Sequence, residues 1–371
     1  MSALSRVITG VGPRAGLSQA KSLRVLYTIY PTSFQHYGGA EIQLLKTKEY
    51  LEEKGDCKVK LFDVFNDKLK QYDILHIFMM RPECLPTAQL SRRTGTKLAL
   101  SPIYWRERFD KLTNFLGPAA FARLYSNLKR YGLATFRELF PFKSFLDLAD
   151  IILPNSKMEA ELLIQDFRVD RGKFWVVPNG VDERFASAKP DVFEEKYGMT
   201  DFVLFVGRID SRKNVLNVID VCKNLELPLI VIGHLNPGEE EYYAECKNAI
   251  EASKNAKMIG FLAHDSEELS SAYAAARVFV LPSYFETPGL TALEAGLVGC
   301  NLVVTSEGST REYFGEYAWY VNPWSAKDIS AKIKDAYDKQ KSGLLKKRIL
   351  ENYTWEKVAQ KTLEAYHLIS S

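Results

Sequence analysis

Cysteine is scarce and scattered: Cys57, Cys84, Cys222, Cys246 and Cys300 in 371 residues, an odd number with no C-x-x-C pair. That argues against a disulfide framework and a structural zinc site, and points to a reducing, cytoplasmic compartment. No apolar run approaches the ~18 residues that a membrane-spanning helix needs. An Asp-x-Asp pair, one short acidic metal-chelating motif, is also missing. No G-x-G-x-x-G follows the first predicted strand, which weighs against a dinucleotide-dependent oxidoreductase. Charge of either sign is nearly balanced, 49 Lys+Arg against 46 Asp+Glu. A net +3 is too small to imply nucleic acid as a partner.

What is present suits an ordinary globular protein, 46% hydrophobic and 26% charged, with room for two domains. Residues 1–22 are rich in Ser, Gly and Ala, carry Arg6, Arg14 and Lys21, and contain no acid. They read as a flexible tail, with an organellar transit segment as the alternative of the same composition. From Leu23 onward, short β-branched runs alternate with amphipathic stretches. Leu23–Tyr30, Val59–Phe65, Ile74–Phe78, Lys97–Leu100, Ile151–Leu153 and Phe174–Val177 read as strands of a first parallel sheet. The rhythm restarts with Phe202–Val206, Leu229–Ile232, Lys257–Gly260, Val278–Leu281, Asn301–Thr305 and Tyr317–Val321. The expected fold is therefore α/β, two Rossmann-like doubly wound domains facing a cleft. Their bounds are 23–180, completed by a closing helix over 353–371, and 181–352. Ligands in such sheets bind beyond the C-terminal strand ends.

The densest chemical signal is Tyr-Phe-Glu-Thr-Pro-Gly-Leu-Thr-Ala-Leu-Glu-Ala, with Glu286 and Glu294 near its two ends. Thr287-Pro288 predicts a helix start, Thr287 at the N-cap and Pro288 at the first helical position. The amides of Gly289 and Leu290 then point out of the helix N-terminus toward an anionic group. Glu294 falls one turn beyond Leu290 on the same face, while Glu286 stays in the preceding loop. A ligand with hydroxyls at both ends and phosphate between them, such as a nucleotide-sugar, suits that arrangement. Two exposed surface glutamates are the plain alternative.

A second cluster sits at Val206-Gly207-Arg208 with Lys213 following. Gly207 allows close backbone approach, and Arg208 and Lys213 supply a fork and a point charge for a diphosphate. Tyr37-Gly38-Gly39-Ala40-Glu41 follows the first strand and opens a helix. Gly38 and Gly39 let that turn lie against a phosphate or sugar, or simply form a tight turn with Glu41 stabilising the helix start. His76 reads either as a buried structural histidine or as a group reaching a cleft. Between Tyr104 and Phe145, aromatic residues interleave with eight basic residues and three acids. That stretch is either a packed helical insertion or a docking face for anionic lipid or a phosphate-bearing acceptor.

In this order and spacing the motifs resemble the retaining glycosyltransferases of the GT-B fold, family 4. The resemblance runs through Gly38–Glu41, Ser156–Glu159, Pro178–Asp182, Gly207-Arg208 with Lys213, Gly260, Glu286 to Glu294-Ala295, and the closing Tyr353–Val358. It implies that Glu294 holds ribose hydroxyls and Glu286 contacts the donor sugar. Arg208 and Lys213 would stabilise the departing diphosphate, Gly38 and Gly39 would face phosphates or sugar, and backbone near Gly260 and Phe261 would flank the base. It further implies transfer from a nucleotide-diphosphate-sugar to a glycan or lipid-linked acceptor hydroxyl, with no cofactor and no metal. Location is expected to be cytoplasmic, with peripheral contact to an anionic membrane. Two departures stand out. The family's donor-sugar histidine is absent at Ser101-Pro102-Ile103-Tyr104-Trp105, leaving Tyr104 or a serine as the substitute. Pro288 also replaces a common aromatic residue. A catalytically silent module of the same fold, binding a nucleotide-sugar or glycan, is the alternative function.

Overall fold

The computed structural model describes residues 22–35, 38–55, 57–105 and 134–370, with side chains of 134–140 excepted. The described chain forms two compact units. The first runs to Pro178 and resumes from Ala359, and the second is Asn179–Val358. The last helix, Trp355–Ser370, thus begins in one unit and ends in the other.

In the first unit, β1 (Leu23–Thr28), β2 (Cys57–Leu61), β3 (Ile74–Phe78), β4 (Lys97–Ser101) and β5 (Ile151–Ile152) form a parallel sheet in the order β2-β1-β3-β4-β5. All five residues of β3, Ile-Leu-His-Ile-Phe, are buried, as expected of a central parallel strand covered on both faces. The edge strand β2 instead alternates, with Cys57 and Val59 inward and Lys58 and Lys60 outward. Two sequence expectations need correction. The second strand ends at Leu61 rather than Phe65, because Asp63 accepts from the amide of Phe65 at 3.0 Å and turns the chain. Phe174–Val177 is no strand; it contributes a single bridge, Ile152 to Phe174, before the chain leaves the sheet.

The second unit carries β6 (Phe202–Val206), β7 (Leu229–Ile232), β8 (Ala256–Ile259), β9 (Ala276–Leu281), β10 (Asn301–Thr305) and β11 (Trp319–Val321). They pair in parallel in the order β11-β10-β9-β6-β7-β8. Counted within the unit this is 3-2-1-4-5-6 read from the far edge, the order of dinucleotide-binding sheets. Strands β6, β7 and β10 are buried along their whole length, and they seat the core of this unit. The winding direction reverses between β6 and β9. The loops leaving those two neighbouring strands, 207–214 and 282–289, therefore flank the crevice where such sheets bind ligands. Among the described residues no helix is long and apolar enough to cross a membrane.

Candidate functional site

The loop after β6 is built around a short 3-10 turn, Ser211–Lys213. Asp210 caps it, accepting from the Lys213 amide at 3.0 Å. Asn214 follows in the left-handed region with φ 60°, and its side chain donates to the carbonyls of Pro282 at 3.2 Å and Pro323 at 2.8 Å. Across the switch, the Tyr284 amide donates to the Arg212 carbonyl at 2.9 Å, and Arg212 donates to the Phe285 carbonyl at 2.9 Å. The two loops are therefore stitched together by backbone and side chain before any ligand arrives.

Glu286 sits at the centre of this seam and is 7% exposed. Its carboxylate accepts from Lys213 Nζ at 2.6 Å and Ser283 Oγ at 3.0 Å, with Arg212 at 3.8 Å. Burial alone would raise its carboxyl, but the Lys213 and Arg212 charges overcome that and hold it at about 2. Burial also pulls the Lys213 ammonium down from its ordinary value, against the opposing pull of Glu286. The pair is a desolvated ion pair rather than a surface contact. Its backbone is fixed as well, since Glu286 bridges Gly308, with Glu286 N to Glu307 O at 3.2 Å and Ser309 N to Glu286 O at 3.0 Å. A Cβ on Gly308 would lie 2.1 Å from the Glu286 carbonyl, so only glycine fits opposite.

The helix that follows starts later than the sequence suggested. It spans Leu290–Val298 with Gly289 as its N-cap, not Thr287, and Pro288 lies outside it. Gly289 takes φ +86°, and a Cβ there would meet the Leu281 side chain at 2.8 Å. Thr287 lies two residues ahead of that cap; its amide donates to Glu286 Oε1 at 3.3 Å and its carbonyl accepts from the Asn179 side chain at 3.3 Å. The amides of Leu290 and Thr291 open the helix and have no intrahelical acceptor. The expected Gly289–Leu290 pair of helix-opening amides is thus shifted by one residue.

Glu294, one turn beyond Leu290, is 3% exposed. Its Oε2 accepts from the Tyr273 hydroxyl at 2.7 Å, and its Oε1 lies 2.8 Å from His264 Nε2. The carboxylate oxygen accepts, so that imidazole nitrogen carries the proton. Arg184 donates to the His264 carbonyl, and its guanidinium lies 4.7 Å from the Phe185 ring centroid. Two carboxylate lone pairs are used and about two remain for ligand hydroxyls. Surface exposure, the plain alternative for Glu286 and Glu294, is ruled out by their burial.

The remaining candidate residues divide. Gly207 and Arg208 lie in the β6 loop, half-buried, and Arg208 makes no ion pair among the described residues. Gly260 and Phe261 follow β8; Phe261 is 65% exposed and meets the His234 ring edge at 5.3 Å. In the first unit, Gly39 begins the helix Gly39–Glu53. The Gly38 amide is already taken by Glu41 Oε2 at 2.8 Å, and Tyr30 donates to the other oxygen at 3.1 Å. His76 needs correction, for it reaches no open surface. It is 1% exposed, with Nδ1 2.7 Å from the Tyr366 hydroxyl and Nε2 2.9 Å from Ser101 Oγ. Burial holds its imidazole at about 3, so it is neutral and ties the closing helix to β3 and β4. Tyr104 is likewise engaged in packing. Its ring meets Phe142 and Phe167, its hydroxyl donates to Asp166 at 2.8 Å, and its amide donates to Glu159 at 2.6 Å. Most of the basic, aromatic stretch around it lies outside the described residues, as does the N-terminal segment through Lys21.

Sequence reasoning missed Arg212, His264, Tyr273 and Gly308 and gave Asn179, inside the Pro178–Asp182 motif, no role. Arg212 stands next to Lys213 in a visible basic loop. His264 lies shortly after Phe261. Tyr273 and Gly308 are brought to the site only by the fold.

Residues 189–353 match the family described as glycosyl transferases group 1. The second unit is a glycosyl transferases group 1 domain. All of Arg208, Lys213, Glu286 and Glu294 fall inside the match. A probable sucrose-phosphate synthase of Thermosipho melanesiensis is 31% identical over 202 residues, 52% of this chain and 47% of that protein. Mannosylfructose-phosphate synthase of Agrobacterium fabrum is 26% identical, covering 58% and 52%. An O-antigen chain mannosyltransferase B of Escherichia coli is 25% identical, covering 60% and 62%. The chain thus spans about half the length of the curated relatives it matches. Beyond the group 1 domain, the fold as a whole is similar to sucrose-phosphate synthase from Thermosynechococcus elongatus, with TM-score 0.72, 18% identity, and coverage of 94% and 99%. Anabaena HepE in complex with UDP gives 0.70 at 16% identity, covering 93% and 100%. These likenesses establish the two-domain GT-B architecture.

Proposed function

We propose that the chain transfers a sugar, with retention, from a nucleoside-diphosphate sugar to an acceptor hydroxyl, and that no metal takes part. The observation that carries this reading is the pairing, at one topological switch, of the Lys213–Glu286 ion pair with an open helix end and Glu294 one turn behind it. The Leu290 and Thr291 amides offer partial positive charge to a phosphate. Glu294, held by His264 and Tyr273, has lone pairs left for ribose hydroxyls. Arg208, with no ion pair of its own among the described residues, is the cation free to meet the diphosphate. Lys213 would meet it only by sharing itself with Glu286, and that shared contact supports a role for Glu286 near the donor sugar.

As the glycosidic bond breaks, negative charge grows on the diphosphate. Arg208, Lys213 and the helix end stabilise it more in the transition state than in the bound donor. Glu286 is held ionised, so it serves as hydrogen-bond acceptor and electrostatic partner for an oxocarbenium-like sugar, not as a general acid. A diphosphate oxygen is the base that takes the acceptor proton as attack occurs on the same face. The relatives named for sucrose-phosphate and mannosylfructose-phosphate synthesis support a sugar or sugar-phosphate acceptor in addition to a glycan or lipid-linked one. The likeness to HepE with UDP makes uridine nucleotides the first donors to try.

A melting-temperature screen against UDP-, GDP- and ADP-sugars tests the reading, because a ligand that binds only the folded state raises the midpoint. One nucleotide series is expected to stabilise the second unit, and the Glu294→Gln variant is expected to lose that gain. No shift with any nucleotide would overturn the assignment.

A further inference from the structure

The most exposed large apolar side chain among the described residues is Phe65, 87% exposed, with Val64 beside it at 65%. They lie on the loop between β2, the edge strand of the first unit's sheet, and the turn Leu69–Gln71. The loop is built, not loose. Asp63 accepts from the Phe65 amide at 3.0 Å and the Asn66 side chain at 2.6 Å, while its carbonyl accepts from the Asp67 amide at 2.9 Å. Asp67, 9% exposed, accepts from the Asp63 amide at 2.9 Å, Lys60 at 2.7 Å and the Tyr72 hydroxyl at 2.7 Å. The two carboxylates thus clamp both feet of a turn whose tip is Val64-Phe65.

Charge around the tip has one sign left over. Residues 58–71 contain four lysines and two aspartates. Both aspartates are used within the turn, and Asp67 neutralises Lys60. Lys58, Lys68 and Lys70 are exposed and make no ion pair among the described residues. We propose that this tip docks the protein on an anionic lipid surface, Val64 and Phe65 entering the headgroup–acyl boundary and the three lysines meeting lipid phosphates and carboxylates. A protruding pair of side chains suits insertion into a soft interface. A protein partner would need on the order of 800 Å² of complementary surface per side, which a two-residue apex does not offer. Shallow insertion joined to a few basic residues is the arrangement that holds peripheral proteins on membranes reversibly. The proposal is independent of the sugar-transfer reading and of the basic stretch following Tyr104.

The test is sedimentation of the full chain with vesicles of phosphatidylcholine alone or mixed with phosphatidylserine. The parent is expected to bind the mixed vesicles, more weakly at high salt. A Val64→Ser/Phe65→Ser variant, changed only at exposed positions and keeping the parent melting temperature, is expected to bind at least about tenfold more weakly. Lys58→Glu/Lys68→Glu/Lys70→Glu is expected to abolish the preference for phosphatidylserine. Equal sedimentation of parent and serine variant would overturn the proposal, as would a parent that binds neither vesicle. A parent dimer that the serine variant dissolves, seen by light scattering, would assign the tip to self-association and overturn it too.

Discussion

Replacing Lys213 with Met leaves the Glu286 carboxylate buried beside Arg212 and Ser283 without its closest cation. Despite its burial, Lys213 and Arg212 hold that carboxyl at about 2 against an ordinary 4.5, a gain that burial of the Lys213 ammonium, whose own value is pulled down, partly offsets. Stripping one partner from a buried pair typically costs about 3–5 kcal/mol, and the remaining Arg212 and Ser283 contacts favour the lower end. Glu286→Leu alone strands the ammonium at similar cost, whereas the Lys213→Met/Glu286→Leu double variant removes both charges and is expected within about 1 kcal/mol of the parent. The cycle therefore predicts a coupling of several kcal/mol, read by urea unfolding of each protein at neutral pH. The pH dependence carries the same sign. A depressed carboxyl contributes its stability fully above about pH 4.5 and loses it as pH falls toward 2, so the coupling energy of the cycle should shrink through that window as the parent falls below the double variant. A Lys213→Met protein within about 1 kcal/mol of the parent would show that the 2.6 Å contact is not a desolvated ion pair.

Glu294→Gln is expected to weaken nucleoside-diphosphate binding by ten- to a hundredfold, about 1.5–3 kcal/mol, because charge-assisted hydrogen bonds to hydroxyls become neutral ones; calorimetry with the preferred nucleotide checks it. Arg208→Ala is expected to depress turnover at saturating donor by on the order of 10²–10³ with little change in donor affinity, as for any preorganised stabiliser of a leaving charge. His76 is neutral in the folded chain down to about pH 3, so the unfolded chain takes up its proton first. Stability should then fall by about 1.4 kcal/mol per pH unit below about 6.5 on its account. Urea unfolding between about pH 6.5 and 5 should show that slope reduced in His76→Gln.

Much of the fold was legible because buried parallel strands announce themselves as short β-branched runs: Ile74–Phe78, Phe202–Val206, Leu229–Ile232 and Asn301–Thr305 have the same bounds in the sequence pattern and in the sheets. Errors fell where local hydrogen bonding overrides propensity. Phe62, Val64 and Phe65 look like strand residues, but Asp63 closes a turn around their backbone. Thr287-Pro288 carries the composition of a helix start, yet the helix begins only after Gly289, which takes φ +86°. In the candidate site, Lys213 and Glu286 stand out in the sequence as separate functional groups. That they are each other's partner depends on the adjacency of β6 and β9, which no spacing along the chain encodes. His264 and Tyr273 approach Glu294 for the same reason. His76 is ambiguous in sequence because burial decides a histidine's role, and its partner Tyr366 lies 290 residues away.

The most direct test of the central claim is to incubate the purified full chain with UDP-, GDP- and ADP-sugars in EDTA, together with simple free and phosphorylated sugar acceptors, and to measure released nucleoside diphosphate. The account predicts release from one donor series that persists in EDTA and is lost in Arg208→Ala. Release that stops with EDTA and returns with magnesium, or no release from any donor, would contradict it.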